Sequence, residues 1–430
     1  MDAMHSFLKI FDLLFLIYLA ASYLYQLVYA AVGLTSKRSF AEPEARTEHK
    51  FAAVISARNE EGVIAELISS LRQQQYPAEK LDVFVVADNC TDGTAEEAQS
   101  AGAVVFRRQN PELAGKGYAL DFLFRRILRE YGDRGYEGYF IFDADNLVDQ
   151  HFVAEMNKTF DRGGYDAITG YRNSKNFGAN WLSACYSISF LQQCRFLNFP
   201  RCLLGTSCGV GGTGFMISDR LLRSHGGWPF HLLTEDIEFS ADCAISGCTI
   251  GYCDRAVIFD EQPTSFRQSW DQRLRWTKGH YQVGGKYNLP LLQGSFQGGR
   301  AGLTCYDTLM SVTPGALLIL AAVLVNLACA LLWKAQPVYI AAPVMPLIGR
   351  FLHLLCTGYY LLTLLAGTAT VASEWRRIPA SRIKKLIYLP LYPLFLLTYL
   401  PISLVAFFRK VEWKPIRHTP TAEMNHMETY

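Results

Sequence analysis

The chain has 430 residues, half of them hydrophobic and 13% aromatic, enough for a large core and, by length, for two or three domains. A net charge of +2 leaves no broad basic field to displace counterions from a phosphate backbone, which excludes nucleic acid as a partner. Eleven cysteines without a CxxC pair fit neither a small secreted disulfide scaffold nor a zinc site, and Cys243, Cys248 and Cys253, like the others, are expected as free thiols in a reducing cytosol.

Residues 13–34 contain no charged side chain, enough to span a bilayer as one helix. The run is too long for a signal-peptide core and has no small-residue cleavage site, so it reads as a retained anchor. Lys37 and Arg38 follow at once, which places this end in the cytoplasm and the N-terminus outside. From Phe51 the pattern changes. Short apolar runs at 51–56, 83–87, 104–106 and 139–142 alternate with helical stretches at 63–74, 94–101 and 119–131, the signature of βαβ units on a mostly parallel sheet. Ligands of such sheets sit beyond the carboxyl ends of the strands. Ala57-Arg-Asn-Glu-Glu61, Asp88-Asn-Cys-Thr-Asp-Gly-Thr94 and Asp143-Ala-Asp145 all fall there. Two carboxylates one residue apart at a strand end can hold Mg²⁺ or Mn²⁺, with water and substrate oxygens completing the shell; a solvated turn is the alternative. No GxGxxG links one of these strands to the helix after it, the one such spacing being Gly209–Gly214 far downstream, and GxxxxGK[ST] does not occur, so neither a dehydrogenase-type dinucleotide site nor a P-loop is supported.

Residues 181–199 form an apolar, aromatic stretch with Gln192, Gln193 and Arg195 on a polar face, either a helix in the membrane interface or a core helix. Residues 205–214 end in Gly211-Gly-Thr213-Gly214, where backbone can approach a ligand or simply turn tightly. Leu233-Thr-Glu235-Asp236 opens a helix through Ala244, its acids either catalytic or complementing the helix dipole. Gln272-Arg273-Leu-Arg275-Trp276 sets two guanidinium groups beside an indole, suited to diphosphate and sugar or to a juxtamembrane belt. Residues 308–332, part of 338–372 and 386–408 are apolar and long enough to span, separated by a basic loop with Arg376, Arg377, Arg382, Lys384 and Lys385. Four spans starting outside end outside, yet Arg409, Lys410, Lys414 and Arg417 argue for an inside tail, so either a fifth segment near Val338 or a re-entrant last segment is required.

In order, Ala57-Arg-Asn-Glu60, Asp88 with Asp92, Asp143-Ala-Asp145, Thr234-Glu-Asp236 and Gln272-Arg-Leu-Arg-Trp276 match motifs of a known family, and residues 51–276 resemble the membrane-embedded family 2 glycosyltransferases that include cellulose, hyaluronan and poly-N-acetylglucosamine synthases. The resemblance implies an α/β GT-A nucleotide-sugar-binding domain inserted between transmembrane helices, Mg²⁺ or Mn²⁺ as cofactor, and inversion at the anomeric carbon. It implies donor contacts from Ala57, Arg58, Glu60, Asp88, Lys116, Asp143, Gln272, Arg273 and Arg275. Metal would be held by Asp145 with Asp143. Asp236 would act as general base with Glu235 beside it, and Trp276, Thr213 and Gly214 would meet the acceptor. The FxVTxK gating loop and cyclic-dinucleotide domain of bacterial cellulose synthases are not visible here.

The expected layout is an anchor at 1–36, a cytoplasmic catalytic domain at 50–262, interface helices with the QRLRW motif at 263–306, about three membrane segments at 307–408 and a basic tail at 409–430. The expected function is processive, inverting transfer from a UDP-sugar, UDP-glucose or UDP-N-acetylglucosamine first, onto a growing β-linked glycan at the cytoplasmic face of the plasma membrane, with translocation through the lipid bilayer. Transfer of one sugar to a lipid acceptor is the enzymatic alternative, and a non-catalytic membrane scaffold the alternative of another class. Secretion partners and oligomeric state stay open.

Overall fold

The structure, a computed structural model, describes residues 2–36, 42–313, 315–334 and 345–411. Lys37, Arg38, Pro343, Lys414 and Arg417 lie outside the described residues. An N-terminal pair of helices, α1 (Asp2–Tyr23) and α2 (Tyr25–Thr35), leads into β1 (Phe51–Ala57), α3 (Ile64–Arg72), β2 (Leu81–Asp88), α4 (Thr94–Ser100), β3 (Val104–Arg108), α5 (Lys116–Glu130) and β4 (Gly138–Asp143). The chain continues through β5 (Leu147–Val148), α6 (Phe152–Asp161), β6 (Ala167–Ser174), α7 (Trp181–Gln193), α8 (Phe199–Leu204), β7 (Phe215–Ser218), α9 (Asp219–Ser224), α10 (Glu235–Ser246) and β8 (Ile250–Asp260). Then come the long α11 (Phe266–Ser295), α12 (Gly299–Val312), α13 (Gly315–Lys334) and α14 (Met345–Ser373), and three short helices, α15 (Arg382–Ile387), α16 (Tyr392–Leu397) and α17 (Tyr399–Phe408).

The eight strands form one sheet in the order β3-β2-β1-β4-β7-β6-β8-β5. Its first half is parallel, β1 pairing with both β2 and β4, and β2 with β3. Most of the pairing is parallel, as expected, β6 also running parallel to β8, and the sheet is mixed because β7 runs antiparallel to β4 and β6, and β5 antiparallel to β8. The reversal arises because the glycine loop before β7 turns back at the carboxyl end of β4, with Gly212 and Gly214 at φ 86° and 66°. That places the loop over the ligand edge of the sheet. Alternation along β1 and β4 divides the core. Val54, Tyr139 and Ile141 join Phe124 of α5 and Tyr186 of α7 on one face, while Phe51, Phe140 and Phe142 join Leu67 of α3 and Phe152 of α6 on the other. With both faces covered, these strands read as continuous apolar runs.

Of the two readings of 181–199, the core helix is the one the structure takes. Leu182, Cys185, Tyr186 and Ile188 are buried against the sheet, the Tyr392 hydroxyl donates to Gln192 Oε1 at 2.7 Å, and Arg195 stacks 4.6 Å over the Phe199 ring. The N-terminal apolar run also departs from expectation. It breaks at Leu24, and α2 packs on protein: the hydroxyls of Tyr25 and Tyr29 each donate to Asp307 at 2.9 Å, and Arg201 pairs with the same carboxylate at 2.7 Å. A buried carboxylate needs such partners, and they fasten one face of the second half of the run to protein. Among the described residues three stretches are long and apolar enough to cross a membrane, His5–Tyr23, Met345–Ser373 and Arg382–Phe408, or four if Gly299–Val312 and Leu317–Leu332, bent by 54°, count as one.

Candidate active site

The carboxyl ends of β1, β2 and β4 open on a cavity of about 400 Å³, closed by the loop before β7, the first turn of α10 and one face of α11. Ala57, Arg58 and Glu60 enter from β1, Asp88 from β2, Asp143 and Asp145 from the end of β4, Lys116 from the start of α5, and Glu235 and Asp236 from the start of α10. Asn59 and Asn89, at φ 58° and 53°, turn the chain at this rim in a left-handed conformation that asparagine tolerates, and Asn59 Oδ1 accepts the Thr91 N–H at 2.8 Å to tie the two loops. Asp92 faces the loop instead, accepting the N–H groups of Thr94 and Glu61 at 3.2 and 3.3 Å. Asp88 is paired with Arg108, whose other amino group donates to the Leu113 carbonyl at 2.8 Å. Nothing in the local spacing of the sequence signals that partner.

Lys116 stands at the centre. It donates to Asp143 and to the Gly212 carbonyl, and it lies 3.7 Å from Glu235 Oε1. Burial alone would lower its pKa, but Asp143, Glu235 and Asp236 outweigh burial and hold it above the ordinary lysine value. Burial pushes the Glu235 carboxyl up to about 7, against the pull of Lys116 and with the help of the Asp236 charge. Burial raises Asp236 as well, opposed by Lys116, its neighbour's N–H and His280. Both carboxyls are thus held above the ordinary carboxylate range, and as close neighbours they titrate as a pair.

Asp145 is 8% exposed, with the Asn146 amide 3.3 Å from its Oδ1 and equally far from Asp260 Oδ1. Among the described residues no group of three His, Cys, Asp or Glu side chains is arranged to enclose a metal. Asp143 and Asp145 nevertheless share the cavity wall, and a pair of carboxylates is the donor set that Mg²⁺ or Mn²⁺ takes when water and diphosphate oxygens complete its shell. The residues fit such an ion.

On α11, Gln268, Gln272, Arg275, Trp276 and His280 line the cavity at helical spacing. Gln272 Oε1 is buried there without a hydrogen-bond partner among the described residues, an acceptor set for a ligand. The Trp276 ring meets Tyr186 and Phe190 edge-on, at 5.7 and 6.1 Å between centroids. His280 donates from Nδ1 to the Trp276 carbonyl at 2.9 Å, leaving Nε2 as the acceptor nitrogen, and burial lowers its pKa. Arg172 also reaches the cavity, 3.7 Å over the Phe190 ring and paired with Asp260, which accepts the Gln262 amide at 3.0 Å. Sequence reasoning missed Arg172, Asp260, Gln262 and His280. His280, four residues after Trp276, was the one within reach of helical spacing.

Three expected site residues do not line the cavity. Thr213 lies beneath it, donating to Asn146 Oδ1 and accepting the Asp143 N–H at 2.9 Å, and Gly214 donates its N–H to the Ile141 carbonyl at 2.9 Å. Thr213 thus fastens the Asp143–Asn146 turn from below and Gly214 the end of β4. Arg273 is fully buried on the other side of α11, donating to the Phe395 carbonyl at 3.2 Å and to the Thr398 hydroxyl, with its guanidinium 4.3 Å over the Phe395 ring. Its long side chain leaves the cavity face for these partners, and of the two arginines only Arg275 lines the cavity.

Residues 49–279 match the family model described as "Glycosyltransferase like family 2". The chain belongs to that family. It is 28% identical over 240 residues to a beta-monoglucosyldiacylglycerol synthase of Nostoc, covering 53% of this chain and 48% of the relative. It is 22% identical over 252 residues to the poly-beta-1,6-N-acetyl-D-glucosamine synthase of Staphylococcus epidermidis, covering 55% and 57%. The chain thus spans about half the length of the curated relatives it matches. A mannosyltransferase from Pyrobaculum calidifontis, solved with GDP-Man and Mn²⁺, superposes with a TM-score of 0.55 at 19% identity, covering 85% of this chain and 98% of its own; at that identity the likeness is one of fold, the GT-A-like mixed sheet.

The two arginines of this family 2 glycosyltransferase separate by assay. Arg273→Ala removes charged hydrogen bonds inside the packed interior and lowers stability on the order of 3 kcal/mol. Arg275→Ala is expected to leave the melting temperature near wild type and to raise the donor KM. Thermal unfolding alongside donor titration distinguishes them, and a stable Arg273→Ala with weakened donor binding would restore it to the cavity.

Proposed function

We propose that the protein transfers a sugar with inversion from a UDP-sugar to an acceptor hydroxyl presented at the membrane. The observation that carries this reading is the convergence of Lys116, Asp143, Glu235 and Asp236 in one cavity beside Arg275 and Trp276. Asp236, in its carboxylate form, takes the proton as the acceptor oxygen bonds to the anomeric carbon and the bond from that carbon to the diphosphate breaks. Lys116 and Arg275 face the charge that collects on the leaving diphosphate. A divalent ion held by Asp143 and Asp145 would supply further charge neutralisation there. Trp276, braced edge-on by two rings, offers its face to the acceptor. The catalytic unit in this reading comprises the expected domain at 50–262 and the QRLRW segment of α11.

A specific feature favours a single transfer to a membrane-borne acceptor over the processive threading expected from sequence. Behind Trp276 the wall is filled: Tyr186 packs on Phe395 at 5.0 Å, and Tyr186, Phe395 and Tyr392 are each no more than 2% exposed. A polymer leaving past Trp276 would have to displace this aromatic wall. The relative named as a glucosyldiacylglycerol synthase fits this acceptor class, and the one named as a poly-N-acetylglucosamine synthase fits the other. Membranes carrying the protein, given radiolabelled UDP-glucose or UDP-N-acetylglucosamine with Mg²⁺, are expected to yield a labelled lipid of fixed mass at every donor concentration. Trp276→Ala lowers that transfer more than donor hydrolysis to water, which needs no platform. A product ladder that lengthens with donor would establish processivity, and no transfer from any UDP-sugar would reject the catalytic reading.

The Glu235 pKa of about 7 gives a pH dependence. Neutral Glu235 leaves the Lys116 charge to the diphosphate; ionised Glu235 competes for it. Donor kcat/KM should therefore fall as pH climbs through about 7, and Glu235→Gln should remove that limb while retaining activity. By the same shift the folded state keeps its proton longer than the unfolded chain, so this group makes stability decline as pH rises from about 4.5 to about 7. An unchanged limb in Glu235→Gln would assign it elsewhere.

A further inference from the structure

Arg382–Phe408 is long and apolar enough to cross a membrane, yet besides packing on α13 and α14 it is tied at intervals to the catalytic side. Lys384 donates to the Gly178 carbonyl just before α7, and Lys385 to the Trp375 carbonyl, both at 2.6 Å. Tyr392 is bonded to Gln192 of α7. Arg273 of α11 holds Phe395 and Thr398, and farther along the same helix Tyr281 and Lys278 donate to the Ser403 and Ala406 carbonyls, each at 3.0 Å. Since α7 and α11 are walls of the active-site cavity, the ties made to them and to Gly178 just before α7 lie on the cavity's side of the membrane. The longest stretch between those ties runs from Lys384 to Tyr392, about two helical turns. Crossing the hydrocarbon core takes about 20 residues. Pro390, Pro393 and Pro401 break the stretch into short helices that follow the underside of the catalytic domain.

We infer that Arg382–Phe408 is an in-plane platform seated on the leaflet next to the catalytic domain, and not a span. Its outward edge has the chemistry of that surface. Ile383, Ile387 and Phe408 are 74, 61 and 78% exposed, and the exposed cations Arg382, Lys384 and Lys410 flank them, an apolar face for acyl chains with charges for anionic headgroups. The platform is continuous with α14, which precedes it through a loop docked on the domain by the Arg377–Asp254 pair at 2.8 Å.

The crossings are then α1, α13 and α14. Three crossings put the two ends of the chain on opposite sides, with the tail beside the catalytic domain. That removes the conflict met in the sequence, because Arg376, Arg382, Lys384, Arg409 and Lys410 all come to the one side. The inference rests on where the helices pack, and its test does not use turnover, so it stands or falls separately from the glycosyltransferase reading.

The test is the sidedness of the full chain in sealed right-side-out and inverted vesicles. Epitopes placed before Asp2 and after Tyr430 are expected to be reached by antibody in opposite vesicle types. In the untagged chain, a membrane-impermeant amine reagent read by mass spectrometry is expected to label Lys410 from the same face as Lys80 of the catalytic domain. Epitopes reached in the same vesicle type, or Lys410 labelled from the face opposite Lys80, would make Arg382–Phe408 a span and overturn the inference.

Discussion

Asp236→Asn is expected to lower sugar transfer by about 10²–10⁴-fold, the contribution of a positioned general base, while the donor still binds. The substitution is isosteric, so the first turn of α10 and the packing against Gly212, where a β-carbon would sit 3.5 Å from Asp236 Oδ2, are preserved. It removes a negative charge from a cavity that receives a diphosphate, and electrostatics alone would then strengthen donor binding. A loss of turnover with donor affinity held or improved can only come from the missing proton acceptor. UDP-sugar titration calorimetry beside initial rates makes the comparison. Affinity falling in step with rate would make Asp236 a residue that shapes the helix start, with its catalytic role withdrawn.

The catalytic half of this chain is unusually readable because its strands are buried on both faces. Continuous apolar runs such as 51–56 and 139–142 allow no alternative to a strand between helices, and observed Phe51–Ala57 and Gly138–Asp143 extend them by only a residue or so. The polar clusters that end those runs converge because parallel strands place all their carboxyl ends on one edge. Asp88 and Asp143 meet for that reason, and the helix starts of α5 and α10 bring Lys116, Glu235 and Asp236 to the same edge.

What sequence leaves out is set by distant partners. Arg273 shares a motif with Trp276, and three-residue spacing suggests a common face, but Phe395 and Thr398, more than a hundred residues away, take its guanidinium. Thr213 and Gly214 look like a ligand loop, and only the return of the chain along β4 shows that Val210, Gly211 and Gly212 face the cavity while the next two lie beneath it. Residues 181–199 give no usable periodicity because α7 is covered on nearly all sides, by the sheet, by α14 and by α16. The membrane segments show the same limit. Hydropathy measures whether a stretch tolerates lipid, and Arg382–Phe408 tolerates it while its hydrogen bonds lie on protein.

Asp145→Asn is the other substitution expected to abolish activity, and it does so through metal. Asp143 already accepts a hydrogen bond from Lys116, so Asp143→Asn disturbs the lysine as well as any ion, and its effect on rate mixes the two. Asp145 is more deeply set, and the charges that face it come from Arg172 and its own carboxylate neighbours. A neutral amide at that position offers a weaker oxygen ligand to a hard dication whose remaining shell is water and diphosphate. Binding of Mn²⁺ in the presence of UDP, followed by electron paramagnetic resonance, is expected to weaken by at least about tenfold in Asp145→Asn and by less in Asp143→Asn. The melting temperature of Asp145→Asn should stay near wild type, since the exchange also removes a buried charge. Excess EDTA should silence the wild type, with activity returning on addition of Mg²⁺ or Mn²⁺. Full turnover in EDTA, or unchanged Mn²⁺ binding by Asp145→Asn, would leave Lys116 and Arg275 to carry the leaving diphosphate alone.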